Sequence, residues 1–275
     1  MIVDYHMHLR RGPVGKSEEV DHTPSALVPY LETAAERSVD EIGFTEHVYY
    51  FRQTREIWIN EYEQQRCVHD LDLYCDTILD AKRQGLPVKL GIEVDYVGER
   101  QDRLAELLAG YPWDFLIGSV HYIGTRAIDQ QPGIWAEGSV EDAWRRYVAA
   151  LTELAETGYV DVLAHPDLPK IFSQRPEPAV LAELHEQIAD TAARTGVALE
   201  ISTAGLRKPV GELYPDPGLL RACVERGVPV TLASDAHLPV DVGRDLDHAV
   251  ALARGAGCET VTVFEGRQSR EEPLG

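Results

Sequence analysis

Cysteine, positive charge and long apolar runs are all scarce in this chain of 275 residues. The four cysteines, Cys67, Cys75, Cys223 and Cys258, show neither CxxC spacing nor a paired pattern. That excludes a thiolate zinc site and a disulfide framework, and they read as structural thiols. Lys+Arg number 26 against 46 Asp+Glu, a formal net charge of −20. Such a surface repels a nucleic-acid backbone or an anionic membrane at long range, so neither is an expected partner. No apolar run approaches the ~18 residues of a membrane-spanning helix, and the opening MIVDYHMHLRR has acidic and histidine residues where a secretion signal needs an apolar stretch. A cytoplasmic protein is expected. A linker-like Ser/Pro/Gly tract is also missing, so residues 1–275 read as one domain.

Hydrophobic residues at 44% and charged residues at 26% suit a globular fold rather than a disordered chain. Short β-like runs alternate with helical patterns throughout. Strands are expected at Ile2–His8, Glu41–His47, Val88–Val97, Phe115–His121, Asp161–Pro166, Val197–Ser202 and Pro229–His237, with a weaker one at Thr260–Phe264. The clearest helix begins at Ser139, where Asp142 completes a capping-box variant, and runs along Trp144, Tyr147, Val148, Leu151 and Leu154 until Gly158. Repeated strand–helix units imply parallel strands with crossovers, and seven or eight of them in this length favour a closed α/β barrel over an open sheet. Residues 52–86, with Trp58, Tyr62 and Tyr74, are expected as a helical insert over one barrel face. Gly124–Gly138 reads as a loop bordering the site. The polar tail at 265–275 is expected to fray.

Six of the ten histidines fall at predicted C-terminal strand ends: His6, His8, His47, His121, His165 and His237. In (β/α) barrels those ends form the catalytic face, where residues distant in sequence converge. His6 and His8 are two apart on a strand and so project to the same side. Two carboxylates, Glu93 and Asp235, share the strand-end position. Six histidines with two carboxylates and no cysteine make a nitrogen/oxygen donor set suited to Zn, Mn or Fe, with more ligands than one four-coordinate ion uses. Two or three divalent ions are expected, with Glu93 able to bridge a pair. Closely spaced metals are a recurring device for hydrolysing phosphate esters. Asp4 shares the parity of His6 and His8 and is expected to hold an imidazole from behind. His22, in the loop leaving the first strand, reads equally as a ligand or as an ordinary loop residue.

Basic residues, rare overall, follow the same strand ends: Arg10 and Arg11, Arg52 and Arg55, Lys170, and Arg207 with Lys208. A guanidinium fork suits phosphate oxygens, so a small phosphorylated substrate is expected, with Arg207 the favoured contact. Tyr49, Tyr50 and Asp95 are candidates for reading its organic part. The oligomeric state is not legible.

The segments DYHMH (Asp4–His8), GFTEH (Gly43–His47), GIEVD (Gly91–Asp95), GSVH (Gly118–His121), LAHPDL (Leu163–Leu168) and SDAH (Ser234–His237) together resemble the PHP (polymerase and histidinol phosphatase) family, in order and along nearly the whole chain. With EISTAGLRKPVGELYP (Glu200–Pro215), the resemblance is strongest to its stand-alone histidinol-phosphate phosphatases. It implies a distorted (β/α)7 TIM-like barrel with a metal cluster at the C-terminal strand ends. It also implies hydrolysis of L-histidinol phosphate, a step of histidine biosynthesis. By the resemblance, His6, His8, Glu93 and Asp235 hold one ion, Glu93, His121 and His165 a second, and His47 with His237 a third. His22 is the candidate for the additional histidine that the family takes from the loop after the first strand. Glu93, Asp235 and His237 are then the catalytic candidates, and the resemblance adds Lys170 to Arg207 in the phosphate grip. A phosphoesterase acting on another small ester or a nucleotide is the alternative, and a non-catalytic metal-binding regulator is a second.

Overall fold

The chain from Val88 to Asp95 reads Val-Lys-Leu-Gly-Ile-Glu-Val-Asp, and every residue of it is buried. Continuous burial of this kind belongs to a parallel strand covered on both faces. In the computed structural model, which describes residues 1–9, 20–131, 133–136 and 138–275, this strand, β3, is the longest of a parallel seven-stranded sheet. Before it come β1 (Val3–Asp4) and β2 (Glu41–Phe44). After it come β4 (Phe115–Ser119), a small hairpin of β5 (Tyr122–Ile123) and β6 (Arg126–Ala127), then β7 (Val162–Leu163), β8 (Ala198–Ser202) and β9 (Val230–Ala233). The sheet order is β1-β2-β3-β4-β7-β8-β9. Its outer strands meet, because Tyr5 N–H donates to the Leu232 carbonyl at 3.0 Å and Met7 pairs with Ala236 in parallel. The result is a nearly closed barrel of the (β/α)7 type.

Several ladders are shorter than the sequence suggests. Beyond Asp4, the backbone N–H of Met7 is taken by the Thr45 hydroxyl at 3.1 Å and that of Leu9 by Glu46 Oε1 at 2.6 Å. Side chains of the β2 end thus replace ladder partners where β1 delivers its histidines. Inside the barrel, Gly43 and Gly91 lie against the Phe115 ring, where an added Cβ would stand 2.6 and 2.8 Å from its tip. Only glycine admits the ring at those two positions.

The helices are α1 (Pro24–Glu36), α2 (Glu61–Arg66), α3 (Leu71–Arg83), α4 (Gln101–Leu108), α5 (Val140–Glu156), α6 (Pro178–Thr195), α7 (Pro217–Glu225) and α8 (Leu246–Ala256). At α5 the capping box is complete: Ser139 Oγ accepts from Asp142 N–H, and Asp142 Oδ2 accepts from Ser139 N–H, both at 3.0 Å. Residues 52–86 are more than an added lid. Their second helix, α3, is the crossover between β2 and β3, and its Tyr74 hydroxyl donates 2.8 Å bonds to the carbonyls of Phe44 and Gly91. No described helix is long and apolar enough to cross a membrane.

The tail corrects the expectation of fraying at 265–275. Residues Gln268–Pro273 form β11, antiparallel to β10 (Thr260–Glu265), through a turn in which Gly266 and Arg267 both have positive φ. That backbone matches the tight two-residue hairpin. The hairpin covers the N-terminal end of the barrel: Phe264 packs 5.6 Å from Phe115 and 6.1 Å from Tyr5, and Arg267 N–H reaches the Asp114 carbonyl at 2.9 Å. A one-sided strand of mostly exposed polar residues carries little apolar pattern, which is why composition alone suggests a loose end.

Candidate metal centre

The C-terminal ends of the ring strands meet in a cavity of 620 Å³. His47, Glu93, His121, His165, Asp235 and His237 line it, while His6 and His8 lie fully buried among them. Glu93 sits in β3 with its two oxygens serving different sides. Its Oε2 is 3.5 Å from His6 Nε2, 3.7 Å from His8 Nε2 and 2.5 Å from His47 Nδ1. Its Oε1 is 3.5 Å from His121 Nε2 and 3.3 Å from His165 Nε2. Asp235 Oδ1 adds contacts of 3.7, 3.5 and 3.3 Å to His6 Nε2, His8 Nε2 and His237 Nδ1.

Two of these side chains sit on unusual backbone. His165 has φ 28° and Asp235 has φ 50°. A non-glycine residue in the left-handed region costs on the order of 1–3 kcal/mol and persists only where its surroundings impose it. Here both outliers turn a donor toward Glu93 or the paired histidines.

The donors fit divalent cations. His6 Nε2, His8 Nε2, His47 Nδ1 and Glu93 Oε2 are buried without a hydrogen-bond partner. The approach of His47 to Glu93 is short but lacks hydrogen-bond alignment. Buried polar atoms left so are costly unless something else satisfies them, and a shared cation does. Four groups have their ligand atoms within 4.8 Å of one another: His8, His47 and His237; His6, His8 and Asp235; His6, Glu93 and His165; His47, Glu93 and His121.

The electrostatics agree with a site of opposed charges. Burial opposes charge on His6, yet Glu200, Glu93 and Asp235 hold its pKa well above the ordinary value. Burial likewise opposes ionisation of Glu93, and His47, His6 and His121 outweigh it, driving its pKa well down. Asp235 follows the same pattern, with His6 and His237 overcoming burial. His47 is pushed down to about 3, by burial first and by the charges of His8 and His121. His121 is pushed up to about 10, because Glu93 and Asp95 outweigh its burial.

A second tier holds the imidazoles, and most of it escapes sequence reading. Glu200, in β8, places Oε2 2.8 Å from His6 Nδ1 and accepts the His165 N–H through Oε1 at 3.0 Å. Glu46, buried at the β2 end, lies 3.6 Å from His8 Nδ1. Asp95 Oδ1 is 2.5 Å from His121 Nδ1, so this carboxylate orients a histidine rather than lining the cavity. The only available signal for Glu200 is its strand-end position. Its helper role depends on which strands become neighbours.

Two expectations, for Asp4 and Lys170, need correction. Asp4 holds no imidazole: its carboxylate accepts from Ser234 N–H at 2.7 Å, Ser234 Oγ at 2.5 Å and Gly243 N–H at 2.7 Å, fixing the turn that presents Asp235. His22 stands outside the four donor groups, with Nε2 3.6 Å from Glu46 Oε1 and its ring stacked on Phe51. Lys170 does not line the cavity. Its buried ammonium donates to the Leu213 carbonyl at 2.6 Å and pairs with Asp167 at 2.9 Å, since a buried lysine must take a carboxylate partner where it finds one.

Among the other basic candidates, Arg207 and Lys208 line the cavity, joined by Arg244. Arg207 is braced by the Ser234 carbonyl and, at 3.4 Å, by that of Thr203. Arg52 instead pairs with Asp70. Arg10 and Arg11 lie outside the described residues.

Residues 17–204 match the model of the PHP domain family. A probable histidinol-phosphatase of Deinococcus radiodurans is 35% identical over 246 residues, spanning 88% of this chain and 91% of the relative. The histidinol-phosphatase of Bacillus subtilis is 24% identical, over 87% of this chain and 95% of its own. Among solved structures, the histidinol phosphate phosphatase of Lactococcus lactis, crystallised with zinc, L-histidinol and phosphate, superposes with a TM-score of 0.73 at 21% identity, covering 98% of both chains.

Proposed function

This chain belongs to the PHP domain family, and from that premise we propose that it is a metal-dependent phosphomonoesterase that hydrolyses L-histidinol phosphate to L-histidinol and phosphate. The observation that carries the proposal is the two-sided position of Glu93, with histidines around each oxygen and Oε2 free of any hydrogen bond, on a cavity flanked by Arg207 and Lys208.

Two or three divalent ions, Zn, Mn or Fe by donor type, would be held by His6, His8, His47, Glu93, His121, His165, Asp235 and His237. Such ions supply Lewis acidity toward phosphoryl oxygens and lower the pKa of water. Glu93, with one oxygen toward each side of the histidine set, would be the ligand shared between ions. Arg207 meets the phosphate with a preorganised guanidinium, its other N–H groups already held by carbonyls, so little ordering is left for the moment of reaction. Ester cleavage leaves an alkoxide oxygen that requires a proton, and His237, or a water held by His237 or Asp235, supplies it from the cavity wall.

Phosphate release by purified, metal-loaded protein from histidinol phosphate, nucleotides and simple sugar phosphates tests the reading. Histidinol phosphate should exceed the others in kcat/KM by at least about tenfold, ~1.4 kcal/mol of discrimination. Equal or better rates on a nucleotide would make it a phosphoesterase of different specificity, and no turnover on any ester would favour a non-catalytic metal-binding role.

A further inference from the structure

The phosphatase reading accounts for the phosphate end of the substrate and leaves its organic end without a partner. Four carboxylates line the cavity: Glu93, Asp129, Asp235 and Asp241. Three of them are engaged. Glu93 and Asp235 face the histidines, and Asp241 Oδ1 accepts from Arg244 at 2.9 Å. Asp129 makes no hydrogen bond or ion pair among the described residues, in a cavity that also holds Arg207, Lys208 and Arg244.

Asp129 and those cations come from different segments of the chain. Asp129 follows β4 and the β5–β6 hairpin, whereas Arg207 and Lys208 follow β8 and Arg244 follows β9. In the sheet order β7 stands between β4 and β8. The carboxylate is nevertheless close enough to the reacting centre to act electrostatically on His121, Tyr122 and Tyr214. Tyr122, Tyr49 and Tyr62 contribute rings to the same cavity. The lining therefore divides by charge: cations that suit a phosphate, and, from another segment, a carboxylate unpaired among the described residues, with aromatic faces in the same cavity. A ligand negative at one end and positive at the other matches that division.

We propose that Asp129 is the specificity-determining residue that pairs with the ammonium of the substrate, selecting phosphate monoesters of amino alcohols over amine-free esters. The proposal rests on the phosphatase reading and adds to it the class of group recognised. Asp129 stands at the mouth and exposed, so its contribution is that of a charge-assisted contact made when substrate arrives, not of a fold-holding pair.

The test compares wild type with Asp129→Asn, which keeps the shape and removes the charge. Three esters are used: histidinol phosphate, the same ester without its amino group, and the same ester with methyl in place of the imidazole ring. Asp129→Asn should raise KM about tenfold for the two amines with kcat little changed, and leave the amine-free ester unaffected. Asp129→Glu should restore part of the loss, and metal content should match wild type in both variants. An equal effect on all three esters, an effect that follows the imidazole, or no effect while wild type turns over normally would each overturn the assignment to the ammonium. If wild type releases phosphate from none of the esters, the phosphatase reading itself fails and this assignment falls with it.

Discussion

His6 and Glu200 are 194 residues apart in sequence and 2.8 Å apart at Nδ1 and Oε2. The contact leaves His6 Nε2 directed toward Glu93 and Asp235, at 3.5 and 3.7 Å. The other Glu200 oxygen holds the backbone of His165, so one carboxylate orients donors from two strands. Outer partners of this kind typically govern metal affinity by about 10–100-fold. Glu200→Gln should weaken divalent-metal binding in that range, measured by competition with a chromophoric chelator, while turnover at saturating metal stays within a few-fold. Unchanged affinity would remove Glu200 from the support of the centre.

Arg207 is expected to act on phosphate and not on the metals. Arg207→Ala should lower kcat/KM by at least about tenfold, because charge-assisted contacts exceed the ~1 kcal/mol of a neutral hydrogen bond. A fall confined to KM would mark a positioning contact, and a fall in kcat as well would mark one that strengthens as charge develops. Lysine should rescue only partly, since it lacks the planar fork. Wild-type kinetics in a folded, metal-replete Arg207→Ala protein would reduce this arginine to a wall residue.

Lys170 should behave in the opposite way. Removing the ammonium strands Asp167, whose carboxylate is fully buried and also accepts the Asp216 N–H at 2.7 Å. Lys170→Met should cost roughly 3–5 kcal/mol in equilibrium unfolding, the usual penalty for leaving one partner of a buried pair. KM of the protein that remains folded should not move. Full stability with a raised KM would return Lys170 to the phosphate.

Much of this architecture is legible before any coordinates, and the boundary of what is legible has physical causes. Strand-end histidines and Glu93 stand out because hydrophobic alternation locates strand ends and parallel barrels gather those ends on one face. Asp4 shows the limit: parity correctly turns it inward, but its partners, Ser234 and Gly243, belong to the strand that closes the ring and its following loop. Glu46 and Glu200 are hidden for the same reason, being one strand-end carboxylate each among 46 acidic residues until neighbouring strands are known. Lys170 follows a strand end like Arg207 does, yet a short 3-10 turn over Leu168–Phe172 buries it against Asp167. Spacing alone does not report which way such a turn faces. Of the β10–β11 hairpin the inner strand is legible at Thr260–Phe264, and only the outer one escapes, because it is held by backbone pairing and leaves no side-chain periodicity to read.

The most direct test of the account measures bound metal and phosphate release from histidinol phosphate on the same samples, for wild type, His165→Ala and Glu93→Ala, after chelation and reconstitution. Chelation should abolish wild-type turnover and reloading should restore it. His165→Ala should mainly weaken one ion, whereas Glu93→Ala should disturb two and lose turnover, because both Glu93 oxygens face histidines. Wild-type turnover that survives complete removal of metal, or a Glu93→Ala protein with full metal and full activity, would contradict the account.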